Sequence, residues 1–372
     1  MSLTGLERLH AATVRVKMPV QIFQWCARQW PFVILALGVP LAGSTNAVPP
    51  KAQAAVQTPS APSSLMALGQ ELFNDTRLSS DGTVSCASCH IPAKNFSDGR
   101  RVAIGVGGRA GTRNTPSLSS SSLSAGSTFF WDGRRNRLDQ AVMDPFTNPV
   151  EMGLDDPRIL LDKMGQIPVY RNYFKDAAPR DGGSQELAEI ALALSAYVQS
   201  VDRPISPFDR YASGRDPTAL SAQSQRGLAI FSNKGRCSQC HLLNGTSALT
   251  DHTFHRTGVG FSDVQYDLPK LTSGVIERSL HGAVLGNRVA THAEEAQLGR
   301  FNVTHEVSDI AKFRTPSLRG VALTAPYMHD GSVKTLGEAI DREVYYRSLD
   351  SGRPVGLTIE ERNDLLAFLK TL

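Results

Sequence analysis

The sequence has no hydrophobic run long enough to span a membrane and no strong excess of charge of one sign. Its 372 residues carry a formal net charge of +4, and 41% of them are hydrophobic. Nucleic-acid-binding proteins need a concentrated basic face, which this balance does not favour. The longest apolar run covers residues 31–43, whereas a membrane-spanning helix needs about 20 residues. These shortages are typical of an ordinary globular protein.

The apolar run fits an export signal better than an anchor. Basic residues as far as Arg28 precede it, and the small residues 44–47 follow it, as in secretory signal peptides. We predict that residues 1–47 are a signal peptide, with an uncleaved membrane anchor as the alternative, and that the protein is periplasmic. Residues 48–63 are rich in Pro, Ala, Ser and Gln, which predicts a flexible linker.

Cysteine is scarce, and nearly all of it lies in two short motifs. Cys26 falls in the predicted signal peptide. A C-x-x-C-H motif attaches c-type haem through its two thiols, and its histidine ligates the iron. A zinc site would need four clustered ligands, and a disulfide does not require the histidine. We therefore predict two covalently bound haem c groups, at Cys86, Cys89 and His90 and at Cys237, Cys240 and His241.

The sequence also repeats itself downstream of each motif. Residues 113–118 match residues 314–318, and Phe129–Gly133 matches Tyr327–Gly331, which makes Trp131 and His329 equivalent. Internal repeats of this kind indicate a duplicated structural unit. We predict a mainly α fold of two cytochrome c-like domains with long loops and little strand, over residues 64–210 and 211–372.

Local patterns support that class. Residues 185–201 have the apolar periodicity of a helix, and Thr358 with Glu361 predicts a capping box at the start of the last helix. Residues 98–127 are rich in Gly, Ser and Arg without a clear period, which predicts a long loop.

From about residue 64 onwards, the chain resembles the bacterial di-haem cytochrome c peroxidase family, which includes the methylamine-utilisation protein MauG. The resemblance rests on both haem motifs and on the segments 130–134, 148–152 and 325–331. It implies an oxidoreductase in which hydrogen peroxide reacts at the N-terminal haem. Electrons then arrive through the C-terminal haem from a small cytochrome c or a cupredoxin.

Three residues are candidates for catalysis. Trp131 matches the tryptophan that lies between the haems in the family, although a core aromatic is the alternative. Glu151 is the candidate acid–base, because O–O cleavage needs a group that moves a proton between the two oxygens; a surface carboxylate is the alternative. Gln140 is the candidate for orienting peroxide, but the family's glutamine position falls on Ala141 here.

The first half of the chain lacks a second haem-ligating histidine. No histidine lies between His90 and His241, whereas typical members of the family carry one in the loop after the first motif. We therefore predict that the first haem is open or holds only water.

The far ligand of the second haem departs from the family as well. The family places Met or Tyr 14 residues after the equivalent of His329, and here that position is Glu343. Glu343 or Tyr346 is the favoured oxygen ligand. The alternatives are an open site or one of three histidines, His281, His292 or His305.

The resemblance implies two further sites. His329 is expected beside the second haem, bonded to a propionate or shaping the electron path. A calcium ion between the domains would be held by the Asn114 side chain and the carbonyl groups of Thr324 and Pro326.

Two other functions stay open at this point. A MauG-like enzyme would use a high-valent di-haem state to oxidise residues of a partner protein. A non-catalytic di-haem electron carrier would need neither an open haem nor Glu151.

Overall fold

The computed structural model describes residues 64–118, 127–173, 183–201, 204–243 and 248–372. The predicted signal peptide and linker, residues 1–63, lie outside the described residues. None of the helices in the described ranges combines the length and the apolar character needed to span a bilayer.

Helices dominate the described part of the chain, so the prediction of a mainly helical fold is confirmed. The α-helices, in chain order, are α1 Ser64–Asn74, α2 Cys86–Cys89, α3 Leu138–Ala141, α4 Asp144–Thr147, α5 Arg158–Gln166, α6 Pro168–Tyr173, α7 Ser184–Ser200, α8 Pro207–Ala212, α9 Ala222–Ser232, α10 Leu268–Leu280, α11 Leu285–Thr291, α12 Ala293–Gln297, α13 Phe301–Thr304, α14 Leu336–Ser351 and α15 Ile359–Leu369. Two strands, β1 Phe254–Arg256 and β2 Lys312–Arg314, pair antiparallel.

Two of the predicted helices appear as α7 and α15. The capping box that opens α15 is present, because Glu361 N–H bonds to the Thr358 hydroxyl and the Glu361 carboxylate accepts from Thr358 N–H. Pro207 begins α8, where its missing N–H removes no helical hydrogen bond.

Each half of the chain has its own hydrophobic cluster built on a pair of crossing helices. In the first half α1 packs on α7, and in the second α9 packs on α15. A glycine sits at each crossing: a Cβ on Gly69 would lie 2.0 Å from Ala193 O, and one on Gly227 would lie 2.0 Å from Asp364 O. The helices therefore approach more closely than any side chain would allow.

The backbone repeats at the matched Asp-Gly turns. Phe130 has φ of 67° and Met328 has φ of 71°, both in the left-handed region that non-glycine residues rarely adopt. The same isolated bridge closes both turns, Phe129 with Arg135 and Tyr327 with Val333. The structure therefore supports the equivalence of Trp131 and His329. The domain limits at 210 and 211 stay a prediction, although Phe208 of α8 packs in the second cluster.

Candidate functional site: two buried cavities

Each C-x-x-C-H motif forms part of the wall of a cavity. The two cavities have nearly the same volume, about 220 and 210 Å³. Cys86, Cys89 and His90 line the first cavity, and the second motif, residues 237–241, contributes its cysteines and histidine to the second. The two halves of the chain therefore present the same attachment chemistry to two separate spaces.

The motif histidines are held in the same way. Nδ1 of His90 lies 2.9 Å from Phe96 O, and Nδ1 of His241 lies 3.0 Å from Leu249 O. A carbonyl oxygen only accepts, so each Nδ1 carries the hydrogen and each Nε2 has a lone pair for a metal. Burial lowers the pKa of both rings, which keeps them in the neutral form that ligates iron.

The carbonyl groups that orient these rings belong to residues in an unusual backbone conformation. Phe96 has φ of 58° and Leu249 has φ of 55°. Such left-handed residues cost free energy and often mark functional sites. Both histidine rings are therefore oriented by residues whose backbone conformation costs free energy.

Buried arginines give an independent test of whether haem fits. Arg113 lines the first cavity and Arg314 lines both. Burial lowers the pKa of each to about 10, so both stay charged at neutral pH. Nε of each has no hydrogen-bond partner among the described residues. A buried N–H group without a partner costs free energy, and a haem would bring two anionic propionates to such donors. The residues present therefore fit a haem in each cavity.

Glu151 faces the first cavity, where the sequence predicted an acid–base group. Its Oε1 accepts from Asn148 Nδ2 at 2.7 Å, and Asn148 Oδ1 accepts from Val150 N–H at 3.1 Å, which fixes the amide. Burial raises the pKa of Glu151, while the nearby Arg134 guanidinium lowers it. The carboxyl group is therefore both oriented and shifted toward the range in which it can exchange protons.

The predicted loop after the first motif supports that turn. Val106 N–H donates to Glu151 O at 2.9 Å. A Cβ on Gly105 would lie 1.9 Å from Val150 O, so only glycine lets the loop approach. These contacts hold the loop against the backbone of Glu151.

The structure does not bring Gln140 to this site. Gln140 is exposed, and the neighbouring Ala141 lines the cavity in its place. Consecutive residues of a helix point about 100° apart, so the glutamine side chain is directed away from the cavity. The predicted role in orienting peroxide is not supported.

In the second cavity the candidates for the far haem face separate clearly. Glu343 of α14 lines the cavity, where burial raises the pKa of its carboxyl group and Arg347 lowers it. Tyr346 packs against Gly258 and is not among the described lining residues. His281, His292 and His305 are exposed. Of the candidate ligands predicted from the sequence, Glu343 is the one that lines the second cavity.

A chain of contacts joins the two cavities. Trp131 and Asn114 line both of them. Trp131 Nε1–H donates to Asn114 O at 2.8 Å, and Asn114 N–H donates to His329 O at 2.8 Å. His329 stacks on Phe313 with ring centroids 3.5 Å apart. An aromatic group therefore lies between the spaces that would hold the two haems.

His329 itself lies in the second cavity but has a protein partner. Its Nε2 lies 2.6 Å from Gln297 Oε1. Burial, followed by the charge of Arg113, lowers its pKa well below the usual value, so the ring is neutral. Gln297 Oε1 only accepts, so Nε2 carries the hydrogen of the neutral ring and Nδ1 has a lone pair. Nδ1 therefore cannot donate to an ionised propionate, and this arrangement does not support the predicted propionate bond.

The predicted calcium ligands lie near one another in the fold. Asn114, Thr324 and Pro326 all line the second cavity. The Asn114 amide nitrogen donates to Arg100 O at 2.9 Å, which leaves its oxygen available. The ion itself stays a prediction.

Several residues that line the cavities were not predicted from the sequence. His255 of β1 lines the second cavity, with Nε2 2.7 Å from an Asp251 carboxylate oxygen. Asn148 could have been found, since it opens the segment that ends at Met152. Met152 lines the first cavity but is packed in the first hydrophobic cluster, with 1% of its surface exposed.

Comparison with known proteins agrees with this geometry. The model of the di-haem cytochrome c peroxidase family matches residues 63–217. The cytochrome-c peroxidase IdrP2 of Denitromonas iodatirespirans is 34% identical, covering 89% of this chain and 88% of that protein. MauG of Methylorubrum extorquens is 31% identical, covering 82% of this chain and 77% of that protein.

A solved structure shows the same architecture. The di-haem peroxidase BthA of Burkholderia thailandensis superposes with a TM-score of 0.65 at 26% identity, covering 84% of this chain and 86% of that one. With two haem motifs, two matched cavities and an aromatic link between them, the chain belongs to the di-haem cytochrome c peroxidase and MauG family.

Proposed function

We propose that this oxidoreductase of the peroxidase type reduces hydrogen peroxide in the first cavity with electrons delivered through the second. The observation that carries the proposal is Glu151, an oriented carboxyl group of raised pKa that shares a cavity with the neutral His90. A haem iron ligated there would supply the redox chemistry of the peroxide bond.

Glu151 would move the proton that the reaction requires. Cleavage of HO–OH with two electrons and two protons gives two water molecules. The carboxylate would take a proton from one peroxide oxygen and return it to the other, as in general acid–base catalysis. Asn148 holds Oε1 at 2.7 Å, which leaves Oε2 for the peroxide.

Arg134 would limit the rise in the pKa of Glu151 that burial causes. Its Nη1 is bonded to Asp132 at 3.1 Å, and its guanidinium lies 3.5 Å from the centroid of the Phe130 ring. Held in this position, its positive charge opposes the effect of burial on the pKa of Glu151. The balance leaves a group that both accepts and donates protons.

Trp131 would carry electrons between the cavities. It lines both, and its indole N–H is fixed on Asn114 O. A conjugated ring lowers the barrier to electron tunnelling relative to saturated side chains. The electron donor would be a small cytochrome c or a cupredoxin in the periplasm.

A second function is favoured by Glu343. An anionic oxygen donor on the second haem stabilises ferric iron and lowers its reduction potential. Such a haem accepts electrons poorly from a small donor and suits a MauG-like enzyme that oxidises a partner protein. Steady-state turnover of peroxide with reduced cytochrome c separates the two: rapid turnover supports the peroxidase, and slow turnover with a long-lived oxidised state supports the MauG-like enzyme.

Covalent attachment of both haems is part of the proposal. The thiols of Cys86 and Cys237 line the cavities beside their histidines. Protein denatured in acid should keep both haems, and intact-mass analysis should show the added mass of two. Loss of either haem on denaturation would contradict thioether attachment.

The replacement of Glu151 by glutamine tests the proposed function. Glu151→Gln keeps the size and the bond to Asn148 but cannot accept the proton, so the rate of reaction with peroxide should fall by about 10²–10⁴. Rapid mixing with peroxide, followed by absorption, measures this rate. Glu294→Gln, an exposed glutamate of α12, is the matched control and should react normally. A Glu151→Gln protein with both haems and an unchanged rate would refute the role.

A further inference from the structure

The first cavity takes part of its wall from the second half of the chain. Gly286, Val289 and Ala290 of α11 line it, as does Arg314. By contrast, the first half contributes only Asn114 and Trp131 to the described lining of the second cavity. Helix α11 is therefore an asymmetric addition to the peroxide site.

The three residues form one face of the helix. Positions i, i+3 and i+4 lie on the same side of an α-helix. None of the three residues is larger than valine. Val289 and Ala290 are buried. This face presents a low apolar surface to the cavity.

The opposite side of α11 is anchored. Arg288 is buried, and its Nη1 donates to Val275 O at 3.0 Å and to Ser279 Oγ at 3.2 Å. Its Nε lies 3.6 Å from Glu295. On the cavity side, the Thr112 hydroxyl donates to Val289 O. Because the helix is held from both sides, its small face has a fixed position.

Gly286 lies beside the guanidinium group of Arg134. A Cβ built on it would meet Arg134 Nε at 3.7 Å, and no atom of the described residues lies nearer. Alanine would therefore fit, but a longer side chain would extend toward Arg134, whose charge acts on Glu151. A longer side chain at this position would therefore narrow the first cavity.

We propose that the α11 face of Gly286, Val289 and Ala290 sets the size of the ligand admitted to the first haem and confines the site to small peroxides. This inference deepens the proposed function by naming residues that would select the ligand by size, and it rests on a haem being bound in the first cavity. It assigns a specificity role to residues far in sequence from the haem motif.

Ligand binding to the oxidised holoprotein tests this without measuring turnover. In Gly286→Leu the affinity of the first haem for imidazole should fall about tenfold or more, as one added group in a pocket can produce. Its affinity for cyanide, which is linear and small, should change less than about threefold. Optical and EPR titrations of the two ligands give both constants.

Two further variants complete the experiment. Gly165→Leu places the same substitution at a helical glycine with open space around it and outside the cavity, and it should change neither affinity. Val289→Ala should enlarge the cavity and strengthen imidazole binding, which decides the question if Gly286→Leu does not fold.

Equal weakening of imidazole and cyanide in Gly286→Leu would overturn the proposal, and so would no change in either. An unchanged imidazole affinity in Val289→Ala would also overturn it. Both ligands bind ferric haem whether or not Glu151 assists peroxide cleavage, so failure of the proposed function leaves this test intact.

Discussion

The two cavities differ most in the helix that follows the shared Asp-Gly turn. In the first half α3 ends at Ala141, whereas in the second half α14 continues for 16 residues. Matching residues line the two cavities at the same spacing: Leu138 with Leu336, Ala141 with Ala339 and Val142 with Ile340. At the next matching position Pro145 stands where the second half has Glu343.

This single difference explains much of the asymmetry. Proline lacks an N–H and clashes with the preceding helical turn, so it interrupts a helix. In the first half the chain therefore turns after α3, and the carboxylate that lines the cavity comes from a position further along the sequence, Glu151. In the second half the uninterrupted helix brings Glu343 to the cavity. Duplicated units can thus diverge in chemistry through one backbone-breaking residue.

The largest expected effect is the pH dependence of the peroxide reaction in the first cavity. Glu151 must be ionised to accept a proton, and burial raises its pKa above the usual value. The rate should therefore be highest above that raised pKa and fall about tenfold for each pH unit below it. Rapid-mixing measurements across the acidic range check this, and the profile should flatten in Glu151→Gln. A profile that persists in the variant would assign the titration to another group.

Next in size is the potential of the second haem. On the prediction that Glu343 ligates the second haem, Glu343→Met would replace an anionic oxygen ligand with a thioether, and the reduction potential should rise by on the order of 0.1 V, within the range that changes of haem ligand span. Spectroelectrochemistry measures it. Tyr346→Phe is the control and should leave the potential unchanged, because that ring packs on Gly258. The reverse pattern would make Tyr346 the ligand.

The helix crossings should respond alike in the two halves. Gly69→Ala and Gly227→Ala each force a Cβ to within 2.0 Å of a backbone oxygen, which should lower the free energy of unfolding by about 1–3 kcal/mol. Gly165→Ala, in open space on α5, should be neutral or stabilising by up to about 1 kcal/mol. Denaturant unfolding of the holoprotein checks all three, and unequal losses at the two crossings would show that the halves are supported differently.

The smallest effect on stability concerns the link between the cavities. Trp131→Phe keeps an aromatic ring but leaves Asn114 O without its indole partner, which should cost about 1 kcal/mol. It should also slow electron passage from the second haem to the first, measured by rapid mixing of the reduced protein with peroxide. If only stability changes, Trp131 is a structural residue and not a relay.

Sequence patterns are most informative where the chemistry depends on local spacing. The two attachment motifs, the Glu151 turn and the equivalence of Trp131 with His329 could all be read from short segments, and the structure places each beside a cavity. The position of Gln140 could not be predicted from residue identity alone. Neighbouring residues of a helix point in different directions, so Ala141 faces the cavity while Gln140 faces solvent. The register of the repeat could have found Pro145, which lies as far after Trp131 as Glu343 lies after His329.

Long-range packing accounts for most of what was missed. The wall formed by α11 comes from residues more than a hundred positions after the first motif, and no local pattern connects them. His255 reaches the second cavity through the pairing of β1 with β2. The exclusion of Tyr346 likewise depends on its contact with Gly258, which no sequence spacing reveals.

Cyanide titration of the fully oxidised protein, followed by EPR, tests most directly whether one haem is open and the other capped. We expect one haem to start high-spin, bind cyanide and become low-spin, while the other keeps its own ligand. Glu151→Gln should perturb the signal of the cyanide-binding haem, which assigns that haem to the first cavity. Two low-spin signals before cyanide is added would contradict the open site.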